Sequence, residues 1–349
     1  MNLSNNKKEK NIYQYDHYLS MDWSQKNMAI ARMKKNSIKP QIIDVISDVK
    51  EAKKYFSGLK GSKILTIEET TSTHWLAVEL KESVDRILIC DPYRNRLLSQ
   101  GPRTDKIDAG KLCQLLRANM LHEVYHNLEE DYSIKKLVSA YDDLIKFGVR
   151  LQNQRSAIYR AEGLNHKKDN LPDDNATLQF IEQSQNKAIE LYNQEKKEYH
   201  KYFNKIRRQN KLIGKLECIP GIGTIIAVKI YGVVIDAHRF INKYHYWSYC
   251  GLTLNQEQSG GRNYGKRKPR YSRKLKGAYD GAAMAAIGGN NDIADYYNNL
   301  LEKGLSEKQA KLAVARYIAK VSYGILKTGE KYVPYKWRHP QQDKGSNLK

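Results

Sequence analysis

Over the first hundred residues short β-rich apolar runs, YLSMD, MAIARMK, QIIDVI, ILTIE and RILICD, alternate with helical patterns. Between the later runs the apolar spacing lengthens to three and four and predicts helices near 48–59 and 73–83. Hairpin-like strands followed by strand–helix–strand units imply a mixed sheet with helices packed on it. This gives an α/β domain over residues 16–125, behind a disordered N-terminus of residues 1–15. Then the period changes. Ile134, Leu137, Tyr141, Leu144, Gly148, Leu151 and Ile158 fall on one face of a long helix. After a polar break at Pro172, a second stripe runs through Ile181, Ala188, Leu191, Tyr199, Tyr202, Ile206, Ile213 and Leu216. The pair predicts a long antiparallel coiled-coil hairpin over 126–214, whose stripe is either core or a contact with another copy. A mainly helical domain over 215–335 and a disordered tail over 336–349 complete the chain.

Charge adds a partner to this outline. The 349 residues carry 60 Lys and Arg against 38 Asp and Glu, a formal net charge of +22. The surplus is concentrated: residues 201–276 hold seventeen Lys and Arg against Glu217, Asp236 and Glu257 alone. Tyr244, Tyr246, Trp247, Tyr249, Tyr264 and Tyr271 are interleaved with those cations, which suits phosphate contacts together with stacking on bases. Nucleic acid is thus the expected partner. A bilayer is not, because the most apolar stretch, 222–235, is interrupted by Lys229 and two glycines. The polar N-terminus lacks the apolar run and cleavage site of a secretory leader, so a cytoplasmic protein is expected. Cys90, Cys113, Cys218 and Cys250 form no CxxC pair and read as reduced thiols, most of them buried.

Four acids stand where chemistry could use them. Asp22 ends the strand YLSMD and Glu68 ends ILTIE, positions where a carboxylate adds nothing to packing. Asp105 and Asp108, in TDKIDA, lie three apart at the start of a helix and so share a face. Alone, that pair also fits helix capping and the helix dipole. As a set, four converging carboxylates repel one another unless cations neutralise them, and hard oxygen donors select Mg²⁺ or Mn²⁺. Such ions serve displacement at phosphodiesters.

Further along, LECIPGIGTIIAVKI predicts a helix-hairpin-helix in which Gly221 and Gly223 bring backbone N–H groups to a phosphate, flanked by Lys215 and Lys229. A helical hairpin simply ended by glycine is the plainer alternative. The loop QSGGRNYGKRKPRYSRKLK sets Ser259 before two glycines and amid Arg262, Lys266, Arg267 and Lys268, with Arg270, Arg273 and Lys274 extending the cationic set. A serine hydroxyl needs a base, a cationic field or a metal before it becomes a useful nucleophile.

Over roughly Tyr18 to Tyr332 these motifs together resemble the insertion-sequence 110/1111 transposases, also called DEDD transposases, relatives of the Piv-type DNA invertases. Asp22 in SMDWS, Glu68 in IEETTSTHW and the pair Asp105 and Asp108 in TDKIDA match the family's acidic motifs, and PGIG and YCGLTLNQEQSGG match its C-terminal half. The resemblance implies an N-terminal ribonuclease H-like (RuvC-like) domain, a coiled coil and a C-terminal transposase domain, in a bacterial or archaeal protein. It implies Mg²⁺ on Asp22, Glu68, Asp105 and Asp108, and Ser259 as the residue that joins covalently to DNA in a composite site between subunits of a dimer or tetramer. It also implies donor and target DNA as partners, paired by a structured noncoding guide RNA, and excision and insertion of the element through a circular intermediate. This chain departs from the pattern at Thr71, where the family has glycine, at Glu69 beside Glu68, and at KLKGAYDGAAMAA, where many members have a Gly-Asn motif followed by Leu-Arg. An invertase, a metal-only junction-resolving nuclease and a non-catalytic nucleic-acid-binding protein are the rival readings.

Overall fold

The computed structural model describes residues 14–95, 104–126, 128 and 132–338. It divides into two compact units, residues 1–129 and 130–349. Thirteen residues of the segment read as a disordered N-terminus, and residues 339–349 of the tail, lie outside the described residues.

In the first unit a five-stranded sheet forms from β1 (His17–Trp23), β2 (Asn27–Lys34), β3 (Gln41–Ile46), β4 (Lys63–Glu68) and β5 (Arg86–Cys90), in the order β3-β2-β1-β4-β5. β2 is antiparallel to β1 and β3, whereas β1, β4 and β5 run parallel. Helices α1 (Val49–Ser57) and α2 (Thr73–Leu80) are the connections that parallel pairing requires. Alternate residues of the central strands feed opposite layers. Leu19, Met21, Leu65 and Ile67 pack on Ala52, Phe56, Leu76 and Leu80 of α1 and α2. Tyr18, Ile64, Leu88 and Cys90 face the other way, onto Ala109, Leu112, Cys113 and Leu116 of α3 (Asp105–Arg117). A strand covered on both faces loses the alternation of an edge strand, which is why β1 is buried over its first five residues. Tyr15, just ahead of β1, is buried in the α3 layer, so ordered packing begins inside the segment expected to be disordered.

The second unit opens with α4 (Ser133–Ala161) and α5 (Ala176–Gln209), 29 and 34 residues long. At ~1.5 Å per residue they span about 43 and 51 Å. They pack on each other, and Gly148 permits the closest approach: a Cβ there would stand 2.2 Å from the Tyr192 ring. The predicted stripe is right for α4 at Tyr141 and Gly148 and is right at Ile206, Ile213 and Leu216, but at two positions of α5 it names the neighbour of the buried residue. There Tyr192 and Phe203 are buried, whereas Leu191 and Tyr202 are exposed.

A single apolar core then gathers the ends of these helices with α6 (Lys211–Glu217), α7 (Thr224–Val234), α8 (Lys243–Tyr249), α9 (Arg273–Ile287), α10 (Asp292–Glu302) and α11 (Glu307–Thr328). Asparagine starts four of the helices in this unit: the side chains of Asn175, Asn210, Asn242 and Asn291 each accept from backbone N–H groups of the first turn. Between α8 and α9 the segment read as a loop is instead a two-stranded hairpin, β6 (Asn255–Ser259) and β7 (Arg262–Arg267), turned by Gly260 and Gly261 at φ +56° and +76°. Both central positions of that turn require the left-handed region, which glycine supplies without a Cβ penalty. Past α11, Trp337 donates its indole N–H to the Asp292 carbonyl oxygen, which ties down a residue of the segment read as tail. Among the described residues no helix is long and apolar enough to cross a membrane.

Candidate active site

Period two and register bring the acids together. Tyr18, Ser20 and Asp22 share one face of β1, and Ile64, Thr66 and Glu68 share the corresponding face of β4. Ser20 donates to the Ala109 carbonyl oxygen at 2.5 Å and the Cys113 thiol to that of Tyr18 at 3.2 Å, so this is the face that α3 covers. Met21 is level with Ile67, so the carboxylates one residue on emerge side by side at the carboxyl ends of two parallel strands. On α3, Ala109, Leu112, Cys113 and Leu116 are the buried stripe. Asp105 and Asp108 continue that stripe one turn toward the N-terminus, above the strand ends.

The electrostatics register this convergence. Burial pushes the Asp22 carboxyl up to about 6, and the charges of Asp105 and Asp108 push in the same direction. Glu68 is likewise raised, by burial first and then by Asp22 and Asp108. Helix capping does not account for the Asp pair, because Thr104 performs it: the Thr104 hydroxyl accepts the Ile107 N–H at 3.3 Å. Glu69, the neighbouring acid, has its carboxylate 3.6 Å from His126 Nε2, and its backbone N–H pairs with the Cys90 carbonyl oxygen. The charges of Asp22 and Asp108 act on Glu68. Thr71 is not among the residues with positive φ, so the glycine of the family pattern is not needed for the backbone here. Thr70, Ser72 and Thr73 instead lace this turn with hydroxyls, the Thr73 hydroxyl donating to the Glu68 carbonyl oxygen at 2.6 Å.

The donor set is all oxygen and all negative, the chemistry that suits a hard divalent cation. Among the described residues no three His, Cys, Asp or Glu side chains crowd into one coordination shell. The four acids share a field rather than a closed cage: Asp105 and Asp108 act on Asp22, and Asp22 and Asp108 act on Glu68.

The cationic residues divide into two groups. Arg262, Lys266, Arg267 and Lys268 are exposed on and just beyond β7, and Arg270 and Arg273 are exposed before and at the start of α9. Ser259 ends β6 immediately before the glycine turn, and its side chain lies outside the described part of the structure. Three lysines are engaged in contacts with the helices around them. Lys229 is paired with Asp142 at 2.5 Å and lies over the Tyr141 ring, Lys215 donates to the Gly329 carbonyl oxygen, and Lys274 donates to the Ser139 hydroxyl. The glycines of the helix-hairpin-helix also separate. At Gly221, with φ +87°, a Cβ would meet the Ala282 carbonyl oxygen at 2.1 Å, so this glycine admits α9 rather than a phosphate. Gly223 caps α7 in open space. The ammonium groups assigned from the sequence to phosphates thus hold the helical bundle together at Lys215, Lys229 and Lys274.

An α/β unit that gathers carboxylates near two strand ends and a helical unit bearing an exposed cationic hairpin make up the described chain. The particular family follows from comparison: residues 214–298 match the transposase IS116/IS110/IS902 family. The chain is also similar to a transposase for insertion sequence element IS1328 from Yersinia enterocolitica, 19% identical over 275 residues, covering 72% of this chain and 82% of that protein. The resemblance read from the motifs is borne out, and the chain carries the transposase domain of this family.

Proposed function

We propose that this protein is a DNA transposase that cuts and rejoins strands by transesterification, with Ser259 as nucleophile and Asp22, Glu68, Asp105 and Asp108 as the ligands of Mg²⁺ or Mn²⁺. The observation that carries the reading is the convergence of these four acids at the carboxyl ends of β1 and β4 under the start of α3. The strand order β3-β2-β1-β4-β5 with β2 antiparallel agrees with a ribonuclease H-like domain of the RuvC type. Bound Mg²⁺ would offset charge on the phosphoryl oxygens. In the step itself the Ser259 oxygen bonds to phosphorus as the ester bond to a sugar oxygen breaks; the serine gives up its proton and the departing oxygen takes one. The phosphate ester persists in the phosphoserine link, so attack by that sugar hydroxyl reseals the strand without a nucleotide cofactor. Arg262, Lys266, Arg267 and Lys268 supply the cationic field around the serine and hold the backbone by phosphate contacts. In the same reading a structured noncoding RNA pairs donor with target DNA, and a dimer or tetramer assembles the composite site.

The test is a suicide substrate carrying a nick near the cleavage position. Wild-type protein with Mg²⁺ should form a protein–DNA adduct, and Ser259→Ala should form none. Asp108→Asn should lose cleavage while retaining DNA on a filter. Cleavage by Ser259→Ala would return the nucleophile's role to water.

A further inference from the structure

We propose that the cavity bounded by α8, α10, α11 and residues 330–337 receives one unpaired nucleotide of a DNA single strand, with its base against aromatic rings and its phosphate against lysines. The proposal rests on nucleic acid being the partner of this chain, and not on the four acids or Ser259.

The cavity measures about 660 Å³, within the ~300–1,000 Å³ range of small-ligand sites. Its rings are Trp247, Tyr296, Tyr317, Tyr332 and Trp337. Tyr296 stands 5.2 Å from Tyr317 and 5.3 Å from Trp337 between ring centres, a continuous aromatic wall. These faces are fixed in advance. Trp247 donates its indole N–H to the Arg316 carbonyl oxygen and Trp337 to that of Asp292, each at 3.0 Å, so the polar edges are satisfied and the rings are held in place.

The rim adds the matching charge: Lys320, Lys331 and Lys336 are exposed there, against Glu330. Aromatic rings and a cationic rim together suit a base with its phosphate. Bases of an intact duplex are closed off by pairing and stacking, so the site discriminates for unpaired strand.

The experiment measures binding of the full-length protein to a fluorescent twelve-nucleotide oligo-dT and to a blunt duplex of equal length, at one salt concentration. Lys320→Ala with Lys336→Ala, exposed changes that spare the core, should weaken single-strand binding about tenfold and leave duplex binding unchanged. Trp337→Leu should do the same, and strand binding should quench tryptophan fluorescence less in Trp337→Phe than in the wild type. Single-strand affinity that stays constant in these variants, or falls in step with duplex affinity, would overturn the proposal. Oligo-rU bound more tightly than oligo-dT would overturn the choice of DNA. Retained duplex binding with no variant effect removes the cavity alone, whereas absence of all binding in the wild type removes the nucleic-acid partner as well.

Discussion

At the scale of single residues, Asp22 is the group most affected by its surroundings. Its carboxyl is raised to about 6 in the folded protein, so folding binds its proton more tightly than the unfolded chain does. Its stabilising effect is present at low pH and is lost as pH rises through 6. The metal-free protein should therefore gain stability between pH 7.5 and 5. The gain is of order 1 kcal/mol once solvent screening of this partly exposed group is allowed for. Thermal unfolding followed by circular dichroism would read it. Asp22→Asn should be more stable than wild type at pH 7.5 and should flatten that pH dependence. On the proposed reading, Mg²⁺ should raise the wild-type Tm at neutral pH and leave the Tm of the Asp22→Asn, Asp108→Asn double variant unchanged. These acids were legible because strand-terminal carboxylates have no packing role. The partner of Glu69 was not, because His126 lies 57 positions away and nothing in the local pattern links the two.

At the scale of elements, the two glycines of PGIG make a paired prediction. Gly221→Ala places a Cβ against the backbone of α9 at positive φ and should cost about 3 kcal/mol or more. Gly223→Ala meets no neighbour within 4 Å and should be near neutral in the same denaturant titration. If phosphate approach were the reason for both, DNA affinity rather than stability would fall. The strands and helices of the first unit were readable because burial on a sheet imposes strict periods. At two positions of α5 the stripe was misplaced because apolar residues adjoin there, Leu191 beside Tyr192 and Tyr202 beside Phe203, and only packing in the fold selects between them. The β6–β7 hairpin was hidden for a different reason: β7 is exposed along its whole length, so no apolar alternation marks it. The Gly260–Gly261 pair was the one signal available.

At the scale of the whole molecule, a net charge of +22 is not equivalent to a uniform cationic surface. Lys215, Lys229 and Lys274 stabilise the bundle, whereas the hairpin cations face solvent. Replacing Arg262, Lys266, Arg267 and Lys268 with glutamine should flatten the dependence of duplex affinity on salt by about 0.9 per lost phosphate contact. Lys229→Ala should leave that slope unchanged and lower Tm, because it leaves Asp142 half-buried without its partner. Anisotropy titrations from 50 to 300 mM salt, beside melting curves, distinguish the two classes.

The four carboxylates come from β1, β4 and α3, so chain stretches far apart in sequence must meet before any of them acts. A polypeptide still being synthesised, or cut short before residue 104, possesses at most two of the four. On the proposed chemistry such a fragment is harmless to the genome around it. The capacity to nick arises only when the last layer closes over the sheet, which makes premature termination a safe failure.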